Sequence, residues 1–244
     1  MGVFNAALTL VGSGALLLLG IRCLSLRHWR TYPYFCLFLA CVILRSGTIY
    51  SFPDKSSNTF YGFYWYSDLV VSLLSFIVAW EVFRHLFPVG ATRSAAGAVT
   101  ALCLTAVATG IYLGTETVGN LFPDFMRKLG FAVAVWLVTS LGLAQFFAVP
   151  PGRNIRAMAI GLGIFHSLSL INMAAYDLAE SYVFVWPYWR RLSFVLVMFI
   201  WTWGLWRYAP CKAEGTSLPE GFSLSAWEDS WRSLSPKVRR TVGL

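Results

Sequence analysis

Apolar runs recur seven times along the chain, near residues 3–24, 32–52, 61–87, 94–114, 125–149, 155–178 and 183–208. Each is about 20 residues or longer, which at a rise of ~1.5 Å per residue crosses the ~30 Å hydrocarbon layer of a bilayer as one helix. The run at 61–87 exceeds that length, so its helix tilts or extends beyond the hydrocarbon. Turn-forming residues interrupt the pattern: Pro53 with Asp54, Pro88 to Gly90, Pro123 with Asp124, and Pro150 to Gly152. The pattern predicts an all-α polytopic membrane protein with seven transmembrane helices over residues 1–208, followed by a polar tail over 209–244. No second globular domain is expected. The first run is not preceded by a basic segment or followed by a small-residue cleavage site, so it is read as a retained span.

Charge then orients the bundle. Charged residues make up only 12% of the 244, and the net charge is +8. Of the 19 Lys and Arg residues, 13 fall after the first, third and fifth runs or in the tail, and 6 fall on the opposite side. By the positive-inside rule the N-terminus lies outside and the C-terminus is cytoplasmic. Without Arg207 and the tail's five cations the bias nearly vanishes. Basic residues at span ends fit anionic headgroups, so no nucleic-acid partner is expected; the expected partner is the lipid bilayer.

Aromatic residues sit at the run ends. Tyr64, Trp65 and Tyr66 open the third run, and Trp186 opens the seventh. One reading is a headgroup belt; the other is an aromatic-lined outer cavity completed by His166 and Asn172. In the tail, Ser225 and Glu228 have capping-box spacing. Leu224, Trp227, Trp231 and Leu234 then fall on one helical face. An amphipathic tail helix near 225–235 is expected, resting on the membrane or contacting a cytoplasmic protein.

Ionisable residues within spans are costly and mark functional candidates. Arg45 lies about seven residues before the outer end of the second run, and Asp68 about seven after the outer start of the third. Antiparallel neighbours bring these two to one depth. They are expected to pair inside the bundle, either as a bridge that fixes register or as the polar floor of a cavity. Glu81 lies 13 residues beyond Asp68 and faces another way. It is expected to meet Arg84 and His85, three and four positions on, near the inner interface. His166 stands mid-span with no titratable partner in view. Asn172 and Gln145 are candidates for interhelical hydrogen bonds. Gly110 with Gly114, and Ala157 with Gly161, are small-residue pairs for close packing within the chain or in a homo-oligomer.

The missing motifs narrow the chemistry. No Lys lies in the seventh run for a retinal Schiff base. No H-E-x-x-H, nucleotide loop or nucleophile elbow is present, and Gly12-Ser13-Gly14 is part of an apolar helix. His28 and His85 both lie near the inner interface and form the one formal haem pair. The five cysteines include no C-x-x-C, so neither a disulfide nor a metal cluster is expected. No enzyme activity and no cofactor are expected.

The run Tyr64 to Asp68, then Ser72 to Leu74, then Glu81 to Phe87, resembles a family of seven-helix membrane proteins of acidobacterial type and of unknown function. The resemblance covers the membrane domain and extends loosely to the tail around Trp227. The family usually carries Glu where this chain has Asp68, a change that keeps the charge and shortens its reach. The resemblance implies a bacterial inner-membrane location and no particular reaction. Together the readings predict a non-enzymatic, sensor-like or scaffolding membrane subunit, with a small-solute or proton permease as the alternative.

Overall fold

The computed structural model describes residues 2–26, 28–54, 57–87, 91–113, 121–147, 149–178, 186–207 and 209. Among them are eight α-helices and no strand: α1 (Gly2–Ser25), α2 (His28–Thr31), α3 (Pro33–Ser51), α4 (Asn58–Leu86), α5 (Ala91–Leu113), α6 (Leu121–Phe146), α7 (Arg153–Leu178) and α8 (Trp186–Leu205). The apolar runs map onto the seven long helices to within a few residues. The short α2 was not legible, because its four residues lie in a basic connector. The expected tail helix, with Trp227, Trp231 and Leu234, lies outside the described residues.

Five of these helices are long and apolar enough to cross a membrane: α1, α3, α4, α6 and α7. The described parts of α5 and α8 carry shorter apolar stretches, Arg93–Thr109 and Arg191–Leu205. The molecule's surface fits that reading. Leu10, Ile21, Leu44, Leu102 and Val138 all lie largely exposed. Exposing so many large aliphatic side chains to water would be unfavourable, at about 25 cal/mol per Å²; in lipid it costs nothing.

Six helices close a ring. α1 packs on α8 and α3, α3 on α4, α4 on α6, α6 on α7, and α7 on α8. α5 packs outside the ring on α6, and α4 also reaches across to α7. Aromatic side chains fill one half of the interior. Phe35 and Phe38 of α3 meet the buried Trp201 of α8 edge-on, with ring centroids 5.3 and 5.8 Å apart.

Small residues set the closest contacts. A Cβ placed on Gly161 would lie 2.2 Å from the Trp201 indole nitrogen, and one on Gly204 would lie 1.9 Å from the Ala157 Cβ. The Ala157–Gly161 pair therefore serves an internal contact, α7 against α8. Gly114 and the side-chain position of Gly110 lie outside the described set. The Cys23, Cys36, Cys41 and Cys103 thiols are free.

These contacts set a test. Gly161→Ala forces Trp201 to move, and it should cost about 1–3 kcal/mol as an overpacked core does. Gly163→Ala, two residues on, meets open space and should be silent. Thermal unfolding of the two variants in detergent measures the difference.

Candidate functional site

The polar groups of the bundle form three clusters, and α4 contributes to each of the first two. α3 begins at Pro33, preceded by Tyr32, which has no capping side chain. Proline at the first position removes one orphan donor. The next two N–H groups, of Tyr34 and Phe35, donate to the Glu81 carboxylate, at 3.1 Å to Oε1 and 2.9 Å to Oε2. The Cys36 N–H returns to the Tyr32 carbonyl at 3.1 Å. A buried acid on α4 thus caps α3 from 46 residues away, and the helix dipole favours its negative charge.

This corrects the local reading of Glu81. Its carboxylate turns to α3 instead of to its own helix, and Arg84 is exposed. His85 does bond within α4, but its Nδ1–H donates to the Glu81 backbone carbonyl at 2.9 Å. Glu81 and Asp68 stand on different faces of α4, as their spacing requires, and both nevertheless reach α3.

At the other end of the same helix pair, Arg45 Nη2 lies 2.7 Å from Asp68 Oδ1. The two side chains are 17% and 29% exposed, so the pair borders the surface. Arg45 Nε donates to Ser67 Oγ at 3.1 Å, and that hydroxyl donates to the Tyr64 carbonyl at 3.0 Å. The guanidinium also stands 5.0 Å from the Tyr64 ring centroid. Along α3 these two attachments are ten residues apart, or ~15 Å. Two anchors at that separation fix both the axial register and the rotation of α3 on α4.

Deeper on α4, Ser75 donates to the Ser72 carbonyl at 2.7 Å, so its oxygen accepts from His166 Nε2–H of α7 at 3.0 Å. His166 is 6% exposed. Gly130 of α6 makes room for it: a Cβ there would stand 3.1 Å from Nδ1. Asp68, Ser72 and Ser75 fall at positions i, i+4 and i+7, which places them on one face of α4 within an arc of ~60°.

Of the residues expected to line an outer cavity, the described ones are not brought together. Tyr64 and Trp65 pack edge to face near Arg45, with centroids 5.5 Å apart, but Tyr66 is exposed on the outer surface of α4. His166 bonds to Ser75, eleven residues or ~16 Å beyond Tyr64 along α4. Gln145 is exposed and offers no interhelical bond to α7's interior. The side chains of Asn172 and Trp186 lie outside the described set.

The third cluster was not foreseen. The carbonyls that end α8 receive side chains from three other elements. Arg153 Nη2 donates to Trp203 O at 2.7 Å, and Asn154 Nδ2 to Gly204 O at 3.1 Å and Arg207 O at 2.9 Å. His28 Nε2–H donates to Leu205 O at 3.2 Å, and Arg22 Nε to Trp206 O at 3.2 Å. Asn154 Oδ1 also accepts from the Ala209 N–H. Five successive carbonyls, 203 to 207, are each met by a donor. The cluster fits the negative end of the α8 dipole. The pair with haem spacing is engaged elsewhere: His28 and His85 each donate to a carbonyl, and both rings contact the buried Tyr32. Among the described residues, no group of three or more His, Cys, Asp or Glu is placed to hold a metal.

No protein-family model, no curated protein and no solved structure matches this chain.

Three outcomes follow from the geometry. Glu81→Gln keeps one acceptor and turns an NH₂ toward the other N–H; it should lose about 2–3 kcal/mol, the range of a hydrogen bond to a charged group, in detergent unfolding. For the outer pair, the cycle of Arg45→Gln, Asp68→Asn and the double variant should give a coupling energy of about 1 kcal/mol or more, with the double variant recovering part of the single losses. Burial holds the His28 pKa below its ordinary value; Arg22 adds to the shift and the Leu205 carbonyl opposes it. The folded protein therefore resists the proton that the unfolded chain accepts. Stability should be full above the ordinary imidazole pKa of about 6.5 and should fall as pH drops below it. His28→Gln, which keeps an N–H for Leu205, should flatten that dependence.

Proposed function

We propose that the protein is a non-enzymatic, sensor-like membrane subunit of seven transmembrane helices, its N-terminus outside and its C-terminal tail in the cytoplasm of a bacterium. The observation that carries this reading is the polar stripe on α4. It begins at the partly exposed Arg45–Asp68 pair, continues at the Ser72 backbone carbonyl and the Ser75 hydroxyl that donates to it, and ends on His166. Beyond His166 the interior is occupied by Phe35, Phe38, Trp201, Val78, Val82, Met158 and Leu162, all buried. A polar path open at one end and packed at the other receives a proton or small polar solute without passing it on. Such a port suits sensing better than conduction.

The seven-span count takes α5 and α8 as spans although their described apolar stretches are short. Its support is the sequence pattern, together with the packing of α8 between α1 and α7. The inner-membrane location is carried by the same pattern and by the resemblance noted above. The cytoplasmic tail would carry the output to a partner protein or to the membrane surface.

A permease is the second reading, and the same stripe is what favours it. It would need a polar link from His166 to Glu81. Six residues separate Ser75 from Glu81, a rotation of ~240°, so Glu81 leaves the stripe's face. Its carboxylate is also engaged by α3.

The test uses the full chain in proteoliposomes. In a variant lacking the native cysteines, Ser72→Cys should be modified by an impermeant thiol reagent from the N-terminal side only, and Val78→Cys from neither side. An imposed proton gradient should persist as long as in protein-free vesicles. Labelling of both positions, or collapse of the gradient with a rate that His166→Gln abolishes, would replace the sensor with the permease.

A further inference from the structure

We propose that the C-terminal end of α8, together with Arg22 of α1 and Arg153 of α7, is a binding site for the phosphodiester headgroup of an anionic phospholipid. The two arginines flank the same helix end. Each spends one N–H on a backbone carbonyl, Arg22 on Trp206 just past the end of α8 and Arg153 on Trp203 in its last turn. A guanidinium has five N–H donors, so four remain on each. The carbonyl bond and the indole beneath hold each planar fork in place. Arg22 stands 5.0 Å from the Trp206 ring and Arg153 stands 5.5 Å from the Trp203 ring. Fixing a guanidinium in this way lowers the entropy lost when it takes a second partner, and phosphate oxygens match its fork.

Charge balance favours an anion there. Arg156 and Arg207 lie exposed at the same end. α1, α2 and α8 contain no Asp or Glu, and the first turn of α7 has none either. The α8 carbonyls neutralise the guanidinium groups only in part.

The surroundings select a lipid over free phosphate. Trp203 is 76% exposed and Trp206 45%. Exposed indoles at a span end sit at headgroup depth. Below them on α8 the surface continues through exposed Phe199 and Leu196, and on the neighbouring α1 through exposed Ile21, Leu18 and Leu17. A headgroup held by the arginines would lay its acyl chains along this apolar flank. Inorganic phosphate could use the cations and would gain nothing from the flank.

The experiment is native mass spectrometry of the full chain after delipidation and exchange into mixed micelles of phosphatidylglycerol and phosphatidylcholine in equal amounts. The wild type should retain phosphatidylglycerol over phosphatidylcholine by at least ten-fold. Arg22→Gln with Arg153→Gln keeps an N–H for each carbonyl and removes the charge; it should bring the ratio close to one. Arg22→Lys with Arg153→Lys keeps the charge without the fork, and it should fall between the two. It also serves if the Gln variant does not fold. Equal retention of both lipids by the wild type would overturn the site, as would an unchanged ratio in both double variants. Displacement of the lipid by millimolar inorganic phosphate would overturn the assignment to a lipid.

Discussion

The carboxylate of Glu81 at the start of α3 is the contact on which the rest of this bundle depends. A helix that begins inside or beside lipid cannot leave its first N–H groups to water, and an unsatisfied group there costs several kcal/mol. α3 has no capping side chain of its own. Proline removes one donor, the Tyr32 carbonyl takes another, and Glu81 takes the two that remain. The charge is in turn acceptable only because those donors and the helix dipole face it. Neither partner is stable alone at that depth, so α3 and α4 must form together. Since α4 also packs on α6 and touches α7, the position of α3 is passed around the ring.

The same logic operates with opposite sign at the end of α8. There the unsatisfied groups are carbonyls, and they draw donors from α1, α2 and α7. The partners are separated by 50 to 184 residues in sequence. α3 begins and α8 ends on the same side of the bundle, where α1 also ends and α7 begins. One side is therefore built of helix termini tied by long-range polar contacts. The opposite side carries the partly exposed ion pair and the edge-to-face aromatics of α4. Apolar packing can hold helices together in lipid, but it does little to fix their axial positions. Polar groups at the termini supply that register.

Which of this was legible in the sequence follows from how local each interaction is. The helices were readable because hydropathy integrates over twenty residues and tolerates errors at the ends. Arg45 and Asp68 could be matched because a short connector makes their helices antiparallel neighbours, so depth counting applies. Glu81 was assigned to Arg84 and His85 by the i+3 and i+4 rule, which holds for exposed helical surfaces. Burial changes the competition, since an unsatisfied helix start attracts a carboxylate more strongly than a flexible arginine that can stay solvated. A signal was present: Tyr32-Pro33 opens an apolar run with no Ser, Thr, Asp or Asn to cap it. The roles of Asn154 and His28 at the end of α8 were missed for a related reason. Their partners are backbone carbonyls, which carry no residue identity for a sequence pattern to detect. The Ala157–Gly161 spacing was visible, but its partner in α8 was not, because Gly204 has meaning only once Trp201 and Ala157 are seen beside it.

The contacts of α4 also bear on how an outer signal would reach the other side. Asp68 is partly exposed and Ser75 is buried on the same face of α4, and Glu81 lies on the same rigid helix 13 residues beyond Asp68, or ~20 Å. A helix transmits axial and rotational displacement with little loss over that length. If a ligand or a proton weakened the hold of Arg45 on Asp68, α4 would be free to shift against α3. That shift would draw Glu81 from the Tyr34 and Phe35 N–H groups. The two attachments are therefore coupled through one rigid element. On the sensor reading proposed above, the cost of an uncapped helix start would separate the held arrangement from the released one.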